Sequence, residues 1–132
     1  MSFKLVGGEK LRLVEVAKAS GTVISAGDFA GMTSGLAVDA AAATAAIAWC
    51  PKGAADGKTT CEVTVGNDFV LEGTSDANFA VTDKGLEVDL TAAQLIDIGE
   101  STTDVLKVDI STVAGTVGAT TGVKVRINKP LF

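Results

Sequence analysis

The sequence contains no histidine and no tyrosine, and its 132 residues include only one tryptophan and two cysteines. Histidine is the commonest general base and metal ligand near neutral pH, so its absence excludes Ser-His and Cys-His nucleophile pairs. No serine stands at a recognisable spacing from a lysine, which leaves a Ser-Lys pair without support. We therefore expect a protein that is not an enzyme.

Patterns of resident metal or nucleotide sites are lacking as well. Cys50 and Cys61 are separated by ten residues without histidine, which is not a zinc pattern. Asp97, Glu100 and Asp104 cluster in sequence but lack the regular oxygen spacing of a calcium loop. No glycine-rich segment is followed by a helix, as a phosphate-binding loop is. We expect neither a metal nor a cofactor.

The two cysteines allow two interpretations. A disulfide would close a hairpin between them, whereas a reducing compartment would leave two small buried thiols. The longest nearly unbroken apolar run, residues 40–50, is about half the ~20 residues that a membrane-spanning helix needs. The N-terminal segment lacks the apolar core of a secretory signal. These features favour cytoplasmic synthesis, no membrane partner and reduced thiols.

Basic residues are concentrated at the two ends of the chain. Residues 1–20 carry four basic and two acidic side chains, and residues 124–132 carry three basic and no acidic ones. Since the whole chain has a net charge of −5, residues 21–123 hold −10. The acidic middle and a pI near 4.6 argue against a nucleic-acid partner. The charge separation indicates an acidic body whose ends bind something else.

Composition and periodicity both favour β-strands. The chain has 20 alanines, 16 valines, 15 threonines and 15 glycines, a mixture typical of short strands and tight turns. Apolar residues alternate with polar ones in 86–90, 104–110 and 122–128, which predicts half-buried strands. A polar turn ending at Gly85 predicts a hairpin between residues 78–81 and 86–90. A mean hydropathy of +0.38 with few aromatics favours an oligomer that buries further apolar surface.

Two segments compete for short helices, and one segment stands apart from the body. A capping-box spacing at Thr91–Gln94 and Gly99 predict a helix over Ala92–Ile98, and residues 39–46 are rich in alanine. Residues 1–20 are basic and weakly periodic, with Gly7–Gly8 as a hinge, and we interpret them as an extended N-terminal arm. Residues 21–132 then form a single β-rich domain.

Trp49 is the one strong candidate for stacking on a sugar. It ends an apolar run, where a tryptophan usually anchors a core or a subunit interface. Surfaces that bind carbohydrate generally expose several aromatic rings. A carbohydrate-binding or adhesion domain is therefore an alternative rather than the leading hypothesis.

The body resembles the small capsid decoration, or cement, proteins of tailed bacteriophages. The resemblance covers most of residues 20–128. It rests on four segments: GTVISAGDF at 21–29, GLAVDAA at 35–41, VGNDFV at 65–70 and GVKVRI at 122–127. It implies a mainly all-β fold, a small barrel or sandwich-like domain of the β-tulip type. With the patterns above, we expect that fold to carry one or two short helices and an extended N-terminal arm.

The resemblance also implies a function. Such proteins are often trimeric, sit on the outer capsid surface of the virion and bridge neighbouring subunits of the major capsid protein. Our candidate contacts with the capsid or between subunits are Phe3, Lys4, Leu5, Lys10, Arg12, Trp49, Lys124, Arg126 and Lys129. A tail-tube or fibre module, also β-rich and oligomeric, is the second structural alternative.

Overall fold

The computed structural model describes residues 3–8, 11–112 and 120–132, and almost all of its regular structure is β. Strands take 48% of the residues and helix takes 2%, which confirms the expected all-β class. The strands are β1 (Lys4–Gly8), β2 (Leu13–Ala17), β3 (Asp28–Thr33), β4 (Leu36–Asp39), β5 (Ala48–Cys50), β6 (Thr60–Thr64), β7 (Phe69–Ser75), β8 (Glu87–Ala92), β9 (Leu95–Asp97), β10 (Leu106–Val108) and β11 (Val123–Ile127).

Five of these strands close into a small barrel in the order β7-β11-β10-β8-β9. Closure comes from a parallel pairing of β9 with the end of β7, at Thr74↔Leu95 and Ser75↔Ile96. The first half of β7 pairs antiparallel with β1, from Glu72 back to Phe69. Since β11 takes one edge of β7, β1 and β9 share the other edge. The barrel therefore carries β1 as a sixth strand.

Strand β11 shows how the alternation of apolar and polar residues determines which side chains enter the core. Val123, Val125 and Ile127 are almost completely buried, while Lys124 and Arg126 point outwards. Successive side chains of a strand point to opposite faces, so one face enters the barrel and the other meets solvent. Leu106 and Val108 of β10 and Val88 of β8 lie at 0–2% exposure and complete this wall. The expected burial is confirmed for Val88, Leu106, Val108 and Val125, whereas Leu86, on the same expected face as Val88, is 51% exposed.

Two smaller sheets form a second core beside the barrel. Strand β3 pairs with β4 and β5, and β2 pairs with β6. Between them lies a cluster of mostly small side chains: Ile24, Ala30, Ala37, Ala48, Cys50, Ala54, Cys61 and Val63. Both thiols are free and buried, as the reduced interpretation expects. Small residues let these sheets approach closely where large aromatics would not fit.

The expected separate arm is wrong for the described part of residues 1–20, which belongs to the sheets of the body. Phe3 is 2% exposed, and its ring centroid lies 4.4 Å from that of Phe29. A Cβ on Gly73 would fall 2.3 Å from the ring of Phe3, so glycine there makes room for it. Strand β2 pairs with β6 over all five of its residues, from Leu13↔Thr64 to Ala17↔Thr60. One buried ring and two ladders of backbone hydrogen bonds hold this segment.

Neither expected helix forms. Residues 92–98 continue β8 through a turn into β9, and the carbonyl of Ala93 accepts the N–H of Phe29 at 2.9 Å. After β4, the Oγ1 of Thr44 accepts the N–H of Ala41 at 2.9 Å, so a side chain closes a turn where a helix would need a backbone bond. The described helix is a 3₁₀ turn at Val81–Asp83.

Two strand boundaries also differ from expectation. Residues 78–81 do not form a strand, and β8 pairs with β9 and β10 instead, so the hairpin across residues 82–85 is wrong. Gly85 nevertheless has the positive φ of +79° that such a turn requires. The strand expected over 104–110 is confined to Leu106–Val108, because Asp104 has a φ of +54° and Ile110 is 75% exposed.

Candidate interaction face

Basic residues from the two ends of the chain meet on one wall of the barrel. Lys4 on β1 and Lys124 on β11 are both register partners of Glu72 on the intervening β7. The Nζ of Lys4 lies 3.1 Å from Oε2 of Glu72. The three side chains form a row across three strands although the two lysines lie 120 positions apart in the sequence.

A second row continues this wall towards β10 and β8. Arg126 pairs with Lys107, and Lys107 pairs with Glu87. The Nε of Arg126 donates to Oδ1 of Asp109 at 3.0 Å. Burial acts to raise the pKa of Asp109, but hydrogen bonds from Ser111 and the Arg126 guanidinium outweigh it and hold that pKa below its usual value.

We call the cations of this wall, Lys4, Lys107, Lys124 and Arg126, the basic face. With Glu72, Glu87 and Asp109 beside them, these two rows hold four positive and three negative charges in a chain of net charge −5. The Lys4 side chain is 71% exposed, and an exposed ion pair of this kind contributes about 0–1 kcal/mol. The Lys4 ammonium can therefore leave Glu72 and pair with a carboxylate on another molecule at little cost.

An open strand edge lies beside the basic face. Within the described residues, the edge of β1 that does not pair with β7 has no strand partner. Leu5 and Val6 on this strand are 44% and 41% exposed, and a bulge interrupts the pairing between Leu5 and Gly7. An exposed edge offers backbone N–H and C=O groups to an added strand.

Two of the expected contact residues do not lie on any surface. Phe3 and Trp49 are 2% and 6% exposed, and both belong to the main core. The indole Nε1 of Trp49 donates to the carbonyl of Gly27 at 2.9 Å, which satisfies its polar atom. The prediction that they contact the capsid or another subunit directly is wrong, because both side chains are buried in the main core.

The remaining expected residues are dispersed. Arg12 is exposed, and its carbonyl accepts the N–H of Val65 at 2.9 Å next to β6. The Nζ of Lys129 donates to the carbonyl of Thr103 at 2.8 Å. Lys10 lies outside the described residues. Lys107 was missed, although its place between two buried apolar residues marks it as an outward-facing member of β10.

Sequence reasoning also missed a pair of carboxyl groups in the interior. Asp28 begins β3 and is 3% exposed, and its charge acts on the carboxyl group of Asp39 at the end of β4. Burial first, then the charge of Asp28, raise the pKa of Asp39 to about 6. Burial also raises the pKa of Asp28. Nothing in the local sequence signals this interaction, since it depends on how β3 and β4 approach each other.

The Asp28–Asp39 pair makes stability depend on pH. In the unfolded chain Asp39 titrates near 3.8, so between about pH 4 and pH 6 only the folded state holds this proton. The contribution of this proton to the free energy of unfolding is therefore fully present below pH 4 and is lost as the pH rises through 6. We expect Asp39→Asn, which stays neutral, to be more stable than the parent at pH 7 by about 1–2 kcal/mol and to flatten the pH profile. Urea unfolding at pH 4.5, 5.5 and 7 measures this.

Asp56→Asn, in an exposed loop, is the matched control and should follow the parent at every pH. If the two asparagine variants gave parallel profiles, the pair would have no part in the pH dependence.

Hydroxyl groups of Thr102 and Ser101 donate to the carboxylates of Glu100 and Asp104, two of the acidic residues considered for calcium. In residues 3–8, 11–112 and 120–132, no group of three or more Cys, Asp or Glu side chains is placed to hold an ion. Asp89, on the adjacent strand β8, has a structural role: it is 4% exposed, and its carboxylate accepts the N–H groups of Thr102, Thr103 and Asp104 at 2.8–3.0 Å. Burial opposes its ionisation, but these bonds outweigh that cost and lower its pKa.

Comparison with known proteins leaves the chain without a family assignment. No family model, curated protein or solved structure matches it. No helix among the described residues is long and apolar enough to cross a bilayer.

Proposed function

We propose that this chain is a structural virion protein that binds the outer surface of a tailed-bacteriophage capsid. In this proposal it is made in the host cytoplasm, forms a trimer and bridges subunits of the major capsid protein. The observation that carries the proposal is the meeting of the two basic ends of the chain on one wall of the barrel, beside the open edge of β1. The sequence resemblance to decoration proteins supports it independently.

The basic face and the open edge supply the kind of contact that a capsid lattice uses. A strand from a capsid subunit can pair with β1 through main-chain hydrogen bonds, with little demand on side chains. Exposed lysines can exchange their weak intramolecular ion pairs for acidic groups on the shell. Each contact is weak, but a trimer can bind several subunits at once. After the first contact forms, the others form at a high effective concentration, which raises the overall affinity.

Charge reversal on the basic face tests the proposal. We expect Lys4→Glu/Lys124→Glu to weaken binding to capsids at least tenfold, about 1.4 kcal/mol per site, because both new carboxylates repel acidic shell groups. Co-sedimentation with capsids stripped of decoration protein measures the affinity. Light scattering should first show that the variant keeps the oligomeric mass of the parent, which we expect to be a trimer.

The matched control is Lys52→Glu/Lys58→Glu on another part of the body. It changes the net charge by the same amount, and Lys52 also belongs to an exposed ion pair, 3.3 Å from Glu62. This variant should bind capsids like the parent. If both double variants weakened binding equally, the effect would come from the overall charge. If Lys4→Glu/Lys124→Glu bound capsids like the parent, the basic face would not belong to the interface.

The alternatives lack a comparable observation. With Trp49 buried and no tyrosine in the chain, no exposed tryptophan or tyrosine remains for stacking on a sugar. A tail-tube or fibre module shares the β-rich body, but no described contact favours it over the capsid surface.

A further inference from the structure

The two cysteines lie on neighbouring strands of the second core. Cys50 ends β5, Cys61 lies near the start of β6, and both belong to the second core. The N–H of Trp49 donates to Oγ1 of Thr64 at 2.9 Å, which ties β5 to β6. Both thiols are buried in the same cluster of packed side chains. A disulfide forms where two such strands bring the Cα atoms to about 4.4–6.8 Å.

The pair is asymmetric in its access to solvent. Cys61 is 5% exposed and lines a surface groove of about 380 Å³, together with Glu15, Lys52, Lys58 and Glu62. Cys50 is 0% exposed and does not line that groove. A small molecule in the groove therefore reaches the sulfur of Cys61 first, with Cys50 behind it.

We propose that Cys50 and Cys61 are a redox pair that low-molecular-weight disulfides oxidise to an intramolecular disulfide. The Cys61 thiolate attacks a disulfide such as oxidised glutathione, which forms a mixed disulfide and releases one thiolate. The Cys50 sulfur, after losing its proton to solvent, then attacks the Cys61 sulfur and releases the second thiolate. Two protein thiols and one oxidised glutathione become one protein disulfide and two reduced glutathiones.

The surroundings of the pair decide which sulfur reacts first. Burial raises the pKa of both thiols, that of Cys50 to about 11. The neighbouring Cys50 thiol and the charge of Lys18 both act to lower the pKa of Cys61. Cys61 is therefore the more acidic thiol and the more accessible one. Below its pKa the thiolate fraction, and with it the rate of oxidation, rises about tenfold per pH unit.

Oxidation would change the stability of the body without changing its fold. The new bond closes residues 51–60 into a covalent loop and joins the sheet of β3, β4 and β5 to that of β2 and β6. Cross-linking a loop of this length restricts the unfolded chain, and we expect the melting temperature to rise by roughly 10 °C. The pair would act in this way whatever surface the protein binds, so the proposal does not rest on the proposed function.

The test is a redox titration of the full chain in mixtures of reduced and oxidised glutathione at pH 7.5 and pH 8.5. We expect the intact mass to fall by two hydrogens, faster at the higher pH, and trypsin to release peptide 19–52 joined to peptide 59–84. Non-reducing electrophoresis should keep the band of a single chain. Two thiols that persisted in excess oxidised glutathione, or a bond only between chains, would overturn the proposal.

Single variants test the order of the two steps. Cys50→Ala should stop at a stable glutathione adduct on Cys61, because the second attacking sulfur is missing. Cys61→Ala should stay unmodified for at least ten times longer, because Cys50 is enclosed. Equal rates for the two variants would overturn the assignment of Cys61 as the first to react. If either variant fails to fold, the order is read from the parent by trapping the mixed disulfide with acid and locating it in its tryptic peptide.

Discussion

Val125→Asp is expected to unfold the barrel. Val125 is 0% exposed and pairs with Leu71 on one side and Val108 on the other, so its side chain points into the main core. A carboxylate there would have no partner, and burying an unpaired charge costs several kcal/mol or forces local opening. We expect a loss of at least about 4 kcal/mol in the free energy of unfolding, close to the whole stability of many single domains. Urea unfolding followed by tryptophan fluorescence measures this loss.

The neighbouring residue supplies the control for this prediction. Lys124 lies on the same strand with its side chain on the outer face, where substitutions usually change stability by about 0.5 kcal/mol or less. Lys124→Ser should therefore unfold almost like the parent. Similar losses at positions 124 and 125 would mean that β11 does not present alternate residues to the core.

Phe3→Ala is expected to cost about 3–5 kcal/mol, the usual range for truncating a buried phenylalanine. Its ring lies against Phe29 at an interplanar angle of 52° and fills the space that Gly73 leaves open. Truncation would leave a cavity at that point and weaken the attachment of β1 to β7. Thermal and urea unfolding should both show the loss.

Leu5→Ala is the matched change for Phe3→Ala, since Leu5 is two residues further along the chain, on β1, and 44% exposed. It should cost less than about 1 kcal/mol. If Phe3→Ala were equally mild, residues 3–8 would be attached to the body only loosely, as a mobile arm would be.

The sequence predicts those parts of the fold in which one strand face enters the core. In β11 the valines and isoleucine occupy every second position, and the structure buries these and no others. The pattern is uninformative in β1, where no residue from Lys4 to Gly8 is fully buried and the anchor, Phe3, stands before the strand. Residues 92–98 have good helix formers, but a long-range bond from Phe29 to the carbonyl of Ala93 outweighs that local preference.

The candidate face was predictable in its residues but not in its assembly. Lys4, Lys124 and Arg126 are recognisable from the basic ends of the chain. Their meeting depends on β7 lying between β1 and β11, a non-local pairing that no short sequence window contains. Asp28 and Asp39 lie in one hairpin, but residue alternation alone does not show that burial raises the pKa of both carboxyl groups.

The placement of β1 and β11 on either side of β7 has a mechanical consequence. Both strands run antiparallel to β7, and so they run parallel to each other. A pull on the chain before Lys4 and another after Ile127 would act in opposite directions along the strand axes. The hydrogen bonds of the two ladders lie across that axis and would be loaded together in shear rather than opened one after another. A body tethered through its two ends in this way resists stretching with many backbone bonds at once.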